Sequence, residues 1–362
     1  MKNPRKLILI YLLNLSGGAG KSAVAYANII SKTGQDVCIV CGFVRDEFLR
    51  NFLLSSVKVI ELRYARSLLI PLRLANLLWR ISPDIVMVMG ASNMLPVNIS
   101  LHLLPLRSKV ILREANSPSG LLESYPPLKR AVKRLLFNYA FQSADHLIAI
   151  THAMQEEFEN EWNIPSDRIS LIYNGVLLPD TMPSPSVRAK PPILLCVARL
   201  QPQKDISTLL QAFALLRDRC SCRLWLAGNG RERTRLEMLA KKLNIIDDIE
   251  FLGHVTDVKS LYQQATLTVL ASRFEGFPNV LIEALSQGCP VVATDCPTGP
   301  AEIIGDTNVG LLAEVGNAED LANKLETALG RSFDQSELFA RAAMFSNSAM
   351  DKRIRELLRV TL

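Results

Sequence analysis

Short runs of consecutive β-branched and aliphatic residues alternate along this chain with longer stretches in which apolar residues recur every three or four positions. The first pattern suits a strand buried on both faces, the second a helix with one face against a sheet. In the first half the runs predict strands at Leu7–Leu13, Val37–Cys41, Val57–Leu62, Ile85–Met89, Val110–Arg113, His146–Ile150 and Ile169–Ile172. Helices are predicted between several of them, as at Lys21–Thr33 and Leu128–Ser143. The second half repeats the theme, with strands at Ile193–Val197, Arg223–Ala227, Ile249–Phe251, Leu267–Leu270 and Val291–Ala293. Its helices are predicted at Ile206–Arg217, Gly230–Leu243, Val258–Gln264, Asn279–Gln287 and Ala318–Leu329. Strands alternating with helices imply an α/β fold with parallel sheets covered on both faces.

Between the halves, Leu178–Pro192 holds Pro179, Pro183, Pro185, Pro191 and Pro192, which predicts an extended linker. Two doubly wound domains joined by such a hinge would face a central cleft, with loops at the carboxyl ends of the strands lining it. The expected domains are residues 1–180 and 181–345, and a length of 362 residues suits two. The stretch Ala340–Leu362 predicts one or two helices, the terminal one over 346–362, with its packing partner left open.

Composition narrows the class. With 49% apolar and 21% charged residues the chain is a packed globular protein, which excludes collagen-like and predominantly disordered readings. The net charge of +6 is unevenly placed: residues 1–180 carry 20 basic and 14 acidic side chains, the remainder 21 of each. A basic half joined to a neutral half suggests domains that face different partners. Seven cysteines, an odd number set in apolar runs, predict reduced core thiols and a cytosolic compartment. Cys38-x-x-Cys41 lacks a second pair of ligands at zinc spacing. Lys2, Arg5 and Lys6 before Leu7–Leu13 imitate a signal peptide, but a strand, a glycine turn and a helix account for the whole segment.

Three segments carry candidate chemistry. Gly17-Gly18-Ala19-Gly20-Lys21-Ser22 imitates a P-loop, but Leu15 stands where the first P-loop glycine is needed. It is either a turn whose N–H groups face an anion or a turn with no ligand. Arg199 and Lys204 follow the strand Ile193–Val197, where a guanidinium fork and an ammonium can converge on a diphosphate; two solvated surface charges are the plainer reading. The third segment, Ser272-Arg-Phe-Glu275-Gly276-Phe277-Pro278-Asn279-Val280-Leu-Ile-Glu283-Ala284, follows an apolar strand. Pro278 suits a first helical turn, Gly276 allows close backbone approach, and the helix N-terminus offers N–H groups to a phosphate. Glu275 and Glu283 can accept hydrogen bonds from sugar hydroxyls.

The Glu-x7-Glu motif in this setting resembles the retaining glycosyltransferases of family 4, which have the GT-B fold of two Rossmann-like domains. Further segments share the resemblance: Gly17-Gly18, Ile172-Tyr173-Asn174-Gly175-Val176, the pair Arg199 and Lys204, Phe251-Leu252-Gly253-His254-Val255, and Pro290–Ala293 through Gly299–Ile303. Coverage runs from about residue 8 to 330. The resemblance implies sugar transfer from a nucleotide diphosphate sugar, with UDP the expected carrier and the anomeric configuration retained. Arg199 and Lys204 would neutralise the leaving diphosphate, helped by N–H groups near Phe277, Pro278, Asn279 and Val280. Glu275 would hold the donor sugar and Glu283 the ribose. Gly17, Gly18, Val255 and Gly276 complete the implied donor site. In the family's mechanism the acceptor attacks on the face the diphosphate leaves, and a phosphate oxygen takes its proton. No Asp-x-Asp occurs, so no metal and no other cofactor is expected beside the nucleotide-sugar co-substrate. Two departures stand out. Ala198 replaces the usual glycine before Arg199, and Ile111-Leu-Arg-Glu114-Ala-Asn116 lacks the family's first-domain histidine, leaving Glu114 or Asn116 at that place.

The basic half holds Arg63–Arg80, with four arginines, leucines and a tryptophan, and Lys129–Phe137, written in the same style. Either could meet an anionic membrane, or pack on the sheet with its cations extended into water. For the second stretch packing is the preferred expectation. The expected partners are therefore the donor and a saccharide or lipid-linked saccharide acceptor at the cytoplasmic face of a membrane, in bacterial surface-polysaccharide synthesis. A nucleotide-sugar epimerase or hydrolase is the alternative. Nucleic-acid binding is not expected, because no binding sheet or helix-turn-helix pattern occurs.

Overall fold

The computed structural model describes residues 6–44, 47–63, 69–183 and 190–361, so Arg66 and Pro185 lie outside the described residues. The chain forms two compact units, Met1–Gly175 with Ser348–Leu362, and Val176–Asn347.

In the first unit the strands are β1 (Leu7–Leu15), β2 (Asp36–Val44), β3 (Lys58–Glu61), β4 (Ile85–Met89), β5 (Lys109–Arg113), β6 (His146–Ala149) and β7 (Ile169–Leu171). They form one parallel sheet in the order β3-β2-β1-β4-β5-β6-β7. The helices are α1 (Gly17–Lys32), α2 (Ile70–Ile81), α3 (Met94–His102), α4 (Pro118–Glu123), α5 (Pro127–Ser143) and α6 (His152–Asn160). Leu7–Leu15 is thus an inner strand of the sheet. Its runs of Ile and Leu are buried because neighbours flank β1 on either side and α1 packs on it.

The second unit has β8 (Ile193–Val197), β9 (Arg223–Ala227), β10 (Ile249–Gly253), β11 (Leu267–Leu270), β12 (Val291–Thr294) and β13 (Gly310–Ala313), parallel in the order β10-β9-β8-β11-β12-β13. Around them run α7 (Ile206–Arg217), α8 (Arg233–Lys242), α9 (Val258–Gln264), α10 (Asn279–Ser286), α11 (Pro300–Ile304), α12 (Ala318–Gly330) and α13 (Gln335–Ala343). The last helix, α14 (Asn347–Thr361), returns to the first unit. Its Met350, Ile354, Leu357 and Leu358 join a core cluster with Ile8, Ile10 and Ile30.

Both sheets reverse strand order once, between β1 and β4 and between β8 and β11. In doubly wound sheets the loops that leave the carboxyl ends of such a pair splay apart, and ligands bind there. The segments that follow β1, β8 and β11 carry Gly17, Gly18, Arg199, Lys204 and Glu275 to Val280, while Glu114 follows β5, Val255 follows β10 and Glu283 lies within α10.

Candidate active site

In the second unit the loop after β8 carries Arg199 to Asp205 and the loop after β11 carries Ser272 to Pro278. Side-chain and backbone links join them. The Arg273 amide donates to the Gln203 carbonyl at 2.9 Å, and Gln203 Nε2 donates to the Phe274 carbonyl at 2.9 Å. Arg273 Nε donates to Asp205 Oδ2 at 3.0 Å. A further link is an ion pair between Lys204 Nζ and Glu275 Oε1. Asp205 adopts a left-handed conformation, φ 41°, which ends the turn and starts α7.

Glu275 is a buried carboxylate whose side chain is 6% exposed, against 15% for Lys204. A charge in that position needs partners. Besides Lys204 it accepts from Ser272 Oγ at 2.5 Å. Its backbone is fixed by Thr298, whose hydroxyl donates to the Glu275 carbonyl, while Thr294 Oγ1 donates to the Ser272 carbonyl at 2.6 Å. An ammonium has three N–H groups, so Lys204 has two beyond the one given to Glu275. Arg199 is exposed and forms no ion pair among the described residues. Burial pushes the flanking thiols Cys196 and Cys296 up to about 12, so they stay neutral beside the pair.

Gly276, Phe277 and Pro278 are buried and lead into α10, whose first residues, Asn279 and Val280, are half-buried. The first N–H groups of a helix have no intrahelical acceptor, so this end carries partial positive charge. Phe277 packs edge-on against Phe345, centroids 5.3 Å apart. Gly299, at φ +94°, closes over the loop: a Cβ there would stand 2.5 Å from Pro278 Cδ and 2.9 Å from the Gly276 carbonyl oxygen. Gly299→Ala therefore has both left-handed strain and a backbone clash. It is expected to cost about 2–3 kcal/mol, read as a lowered melting temperature.

One turn into α10, Glu283 accepts a 3.1 Å hydrogen bond from the hydroxyl of Tyr262 on α9. Burial and the Glu283 charge hold that hydroxyl well above its usual range, so Tyr262 remains a donor and orients the carboxylate. Sequence reasoning missed Tyr262, a lone tyrosine in a seven-residue helix. Val255 is half-buried in the loop after β10, at the carboxyl edge of the same sheet. Ala198, where a glycine was expected, is closely approached instead by Gly228, on which a Cβ would stand 1.9 Å from the Ala198 carbonyl oxygen.

In the first unit Gly17 (φ +57°) and Gly18 are exposed after β1 and already lie in α1, four residues before the predicted helix start. Glu114, after β5, is buried; its Oε2 accepts from the Ala91 amide and its Oε1 from the Ala115 amide, both at 2.7 Å. Burial raises its pKa. Its carboxylate thus ties the loop after β4 to the loop after β5. The residue before it, Arg113, is 1% exposed. Arg113 Nη2 donates to Asn174 Oδ1 at 2.5 Å and to Ser22 Oγ at 3.3 Å, linking α1 to the Asn174-Gly175 segment. A cation closing the apolar strand Val-Ile-Leu-Arg was the available sequence signal for it. His152 is exposed at the start of α6.

The two halves match two parts of one enzyme family. Glycosyltransferase Family 4 matches residues 16–178 and Glycosyl transferases group 1 matches residues 179–343. The chain is a family 4, group 1 glycosyltransferase. Its two Rossmann-like units are those of GT-B enzymes. The glycosyltransferase is 28% identical to the N-acetylgalactosamine-N,N'-diacetylbacillosaminyl-diphospho-undecaprenol 4-alpha-N-acetylgalactosaminyltransferase of Campylobacter jejuni, over 62% of this chain and 61% of that one. It is 29% identical to the lipopolysaccharide 1,6-galactosyltransferase of Salmonella typhimurium, over 51% of this chain and 53% of that one. The matched stretches thus span a little over half the length of these curated relatives. Among solved structures, HepE of Anabaena in complex with UDP and glucose has a TM-score of 0.77 at 21% identity, covering 98% of this chain and 100% of that one. The lipopolysaccharide outer core galactosyltransferase WaaB has a TM-score of 0.74 at 21% identity, covering 99% and 100%. These two likenesses speak to the fold.

Proposed function

We propose that this glycosyltransferase moves a hexosyl or N-acetylhexosaminyl group from a UDP-sugar to a lipid-linked saccharide at an anionic membrane face, in the synthesis of a bacterial surface polysaccharide or glycoconjugate. The observation that carries the donor half is the Lys204–Glu275 ion pair at the strand-order reversal between β8 and β11, with the exposed Arg199 on the same loop. One buried carboxylate and two cations suit a ligand that is polyhydroxylated at one end and doubly anionic at the other.

In this reading the two spare N–H groups of Lys204, the Arg199 guanidinium and the N-terminus of α10 stabilise the charge that develops on the departing diphosphate. Preorganised donors of this kind supply the largest share of many rate enhancements. Glu275 holds donor sugar hydroxyls, and Glu283, oriented by Tyr262, holds the ribose. The acceptor oxygen bonds to the anomeric carbon as the carbon–phosphate oxygen bond breaks, and the acceptor proton passes to the departing phosphate. Retention follows because attack and departure share one face. The cations take the place a metal would fill, so no metal is needed in the proposal. The Campylobacter relative's name specifies an undecaprenol-diphosphate acceptor and the Salmonella relative's a lipopolysaccharide, which supports the acceptor half.

Thermal melting tests the donor class. UDP or a UDP-sugar at a hundred times its dissociation constant is expected to stabilise the protein by about 2.7 kcal/mol. A shift with GDP- or ADP-linked sugars alone would reassign the base, and no shift with any nucleotide would end the reading. Release of UDP that depends on acceptor separates transfer from the epimerase and hydrolase alternatives.

A further inference from the structure

Helix α5 reads Pro127-Leu-Lys-Arg-Ala-Val-Lys-Arg-Leu-Leu-Phe-Asn-Tyr-Ala-Phe-Gln-Ser143 and carries two apolar stripes. At about 100° per residue, Phe137, Ala140 and Phe141 share one side. They are buried, with Phe141 edge-on to Phe158 and Trp162 at 5.0 and 4.9 Å. Leu128, Val132, Leu135 and Tyr139 fall within roughly 60° of one another on the opposite side, with Leu136 on their flank. These five are 82%, 51%, 72%, 43% and 40% exposed in that order. The first ten residues of the helix contain no buried side chain. A helix of a water-soluble domain ordinarily turns its leucines inward and its charges outward. Here the leucines face out, and Lys129, Arg130, Lys133 and Arg134 sit on the flanks and back. Arg134 is held over the Trp162 ring at 5.5 Å and Lys129 over the Tyr125 ring at 4.7 Å. The expectation that this stretch packs on the sheet is therefore corrected for its first half.

Neighbouring helices extend the character of this face. Helix α3 packs against α5 and α2 against α3, and they expose Ile99 and Trp79. None of the three helices contains an acidic residue, while α2 and α5 together hold six Lys and Arg. We infer that this face of the first unit, led by α5, docks in the plane of an anionic bilayer, with the outward leucines in the headgroup boundary and the flanking cations against lipid phosphates. Large exposed apolar side chains beside cations fit that environment. A second copy of the chain fits less well, since a symmetric contact would set cations against cations with no carboxylate on the helix to answer them. Among the described residues no helix is long and apolar enough to cross a membrane, so the contact is in-plane and reversible.

The inference rests on the proposed lipid-linked acceptor for its purpose, but its test needs neither donor nor acceptor. Purified full chain is sedimented with vesicles of phosphatidylcholine containing a quarter phosphatidylglycerol, and with pure phosphatidylcholine. Wild type is expected to partition onto the anionic vesicles and much less onto the neutral ones. Lys129→Gln/Lys133→Gln should weaken binding about twenty-five-fold, since each cation near an anionic surface is worth roughly five-fold. Leu128→Ser/Leu135→Ser should weaken it at least about ten-fold with an unchanged melting temperature, because both side chains are solvent-exposed. The inference is overturned by wild type that ignores anionic vesicles, by binding that neither variant alters, or by a dimer in light scattering that the leucine variant dissociates without vesicle binding. A chain that binds vesicles yet transfers no sugar would instead overturn the functional reading alone.

Discussion

Lys204→Ala is expected to lower kcat/KM for transfer by about a thousand-fold, the scale on which removal of one preorganised charge-stabilising donor acts. The variant loses the ammonium that would meet the diphosphate and also leaves the buried Glu275 carboxylate to the Ser272 hydroxyl. Removing one partner of a buried pair costs about 3–5 kcal/mol when both groups are fully enclosed. Lys204 retains some exposure, 15% of its side chain, so a cost of about 2 kcal/mol is expected. Glu275→Gln separates the two effects. The amide still occupies the site and can accept from Ser272, so folding should be nearly preserved while the sugar loses a charged acceptor. Its loss should appear in kcat, with the donor KM moving little, if Glu275 acts on the reacting sugar more strongly in the transition state. Combining the two substitutions should cost little more than the worse one, because residues that act on one bond-breaking step are not additive. UDP release in the presence of acceptor reads all of this. Either single variant, folded and transferring at the wild-type rate, would remove that residue from the site.

Much of this arrangement was legible in the chain, for reasons that differ by element. Ile85–Met89, Ile193–Val197, Arg223–Ala227 and Leu267–Leu270 lie where their apolar runs predicted, because inner strands of a doubly covered parallel sheet admit little else. The edge strand β13, Gly-Leu-Leu-Ala, was missed: four residues opening on a glycine leave no periodic signal. Gly17 takes a left-handed φ of 57° where the chain turns from β1 into α1, so the strand-to-helix turn predicted there is present and the helix begins four residues earlier than expected. At the site, Lys204 and Glu275 were visible because each follows a strand at short spacing. Their meeting follows from strand order, which places β8 beside β11. Tyr262 was missed for the complementary reason, and Arg113 showed only as a cation closing an apolar strand. Each acts through a partner distant in sequence, Glu283 for one and Asn174 for the other. The outward leucines of α5 had a pattern equally good for packing, and only the surrounding elements decide which apolar stripe is covered.

Deletion of α14 should have the largest effect on folding of any change short of disrupting a sheet. The helix buries Met350, Ile354, Leu357 and Leu358 in the cluster that includes Ile8 and Ile10 of β1 and Ile30 of α1. Lys109 Nζ also donates to the Thr361 carbonyl at 2.7 Å. Each such side chain contributes about 1.5–3 kcal/mol by leaving water, so removing all four uncovers a loss on the order of 5 kcal/mol or more. Domains as a rule are stable by only about 5–15 kcal/mol. A chain ending at Ser346 should therefore lose the first unit's melting transition, or aggregate, while the transition of Val176–Asn347 persists. Ile354→Ala, a milder change at a fully buried position, should lower stability by about 2–4 kcal/mol without loss of the fold. Equal melting of the truncated and full chains would show that α14 is dispensable. The helix lies beyond residue 343, where the family match ends, yet it closes the core of the half that begins the chain. A segment outside the shared catalytic sequence can thus be what keeps the first unit folded, since the β1 surface it covers is apolar and would otherwise face water.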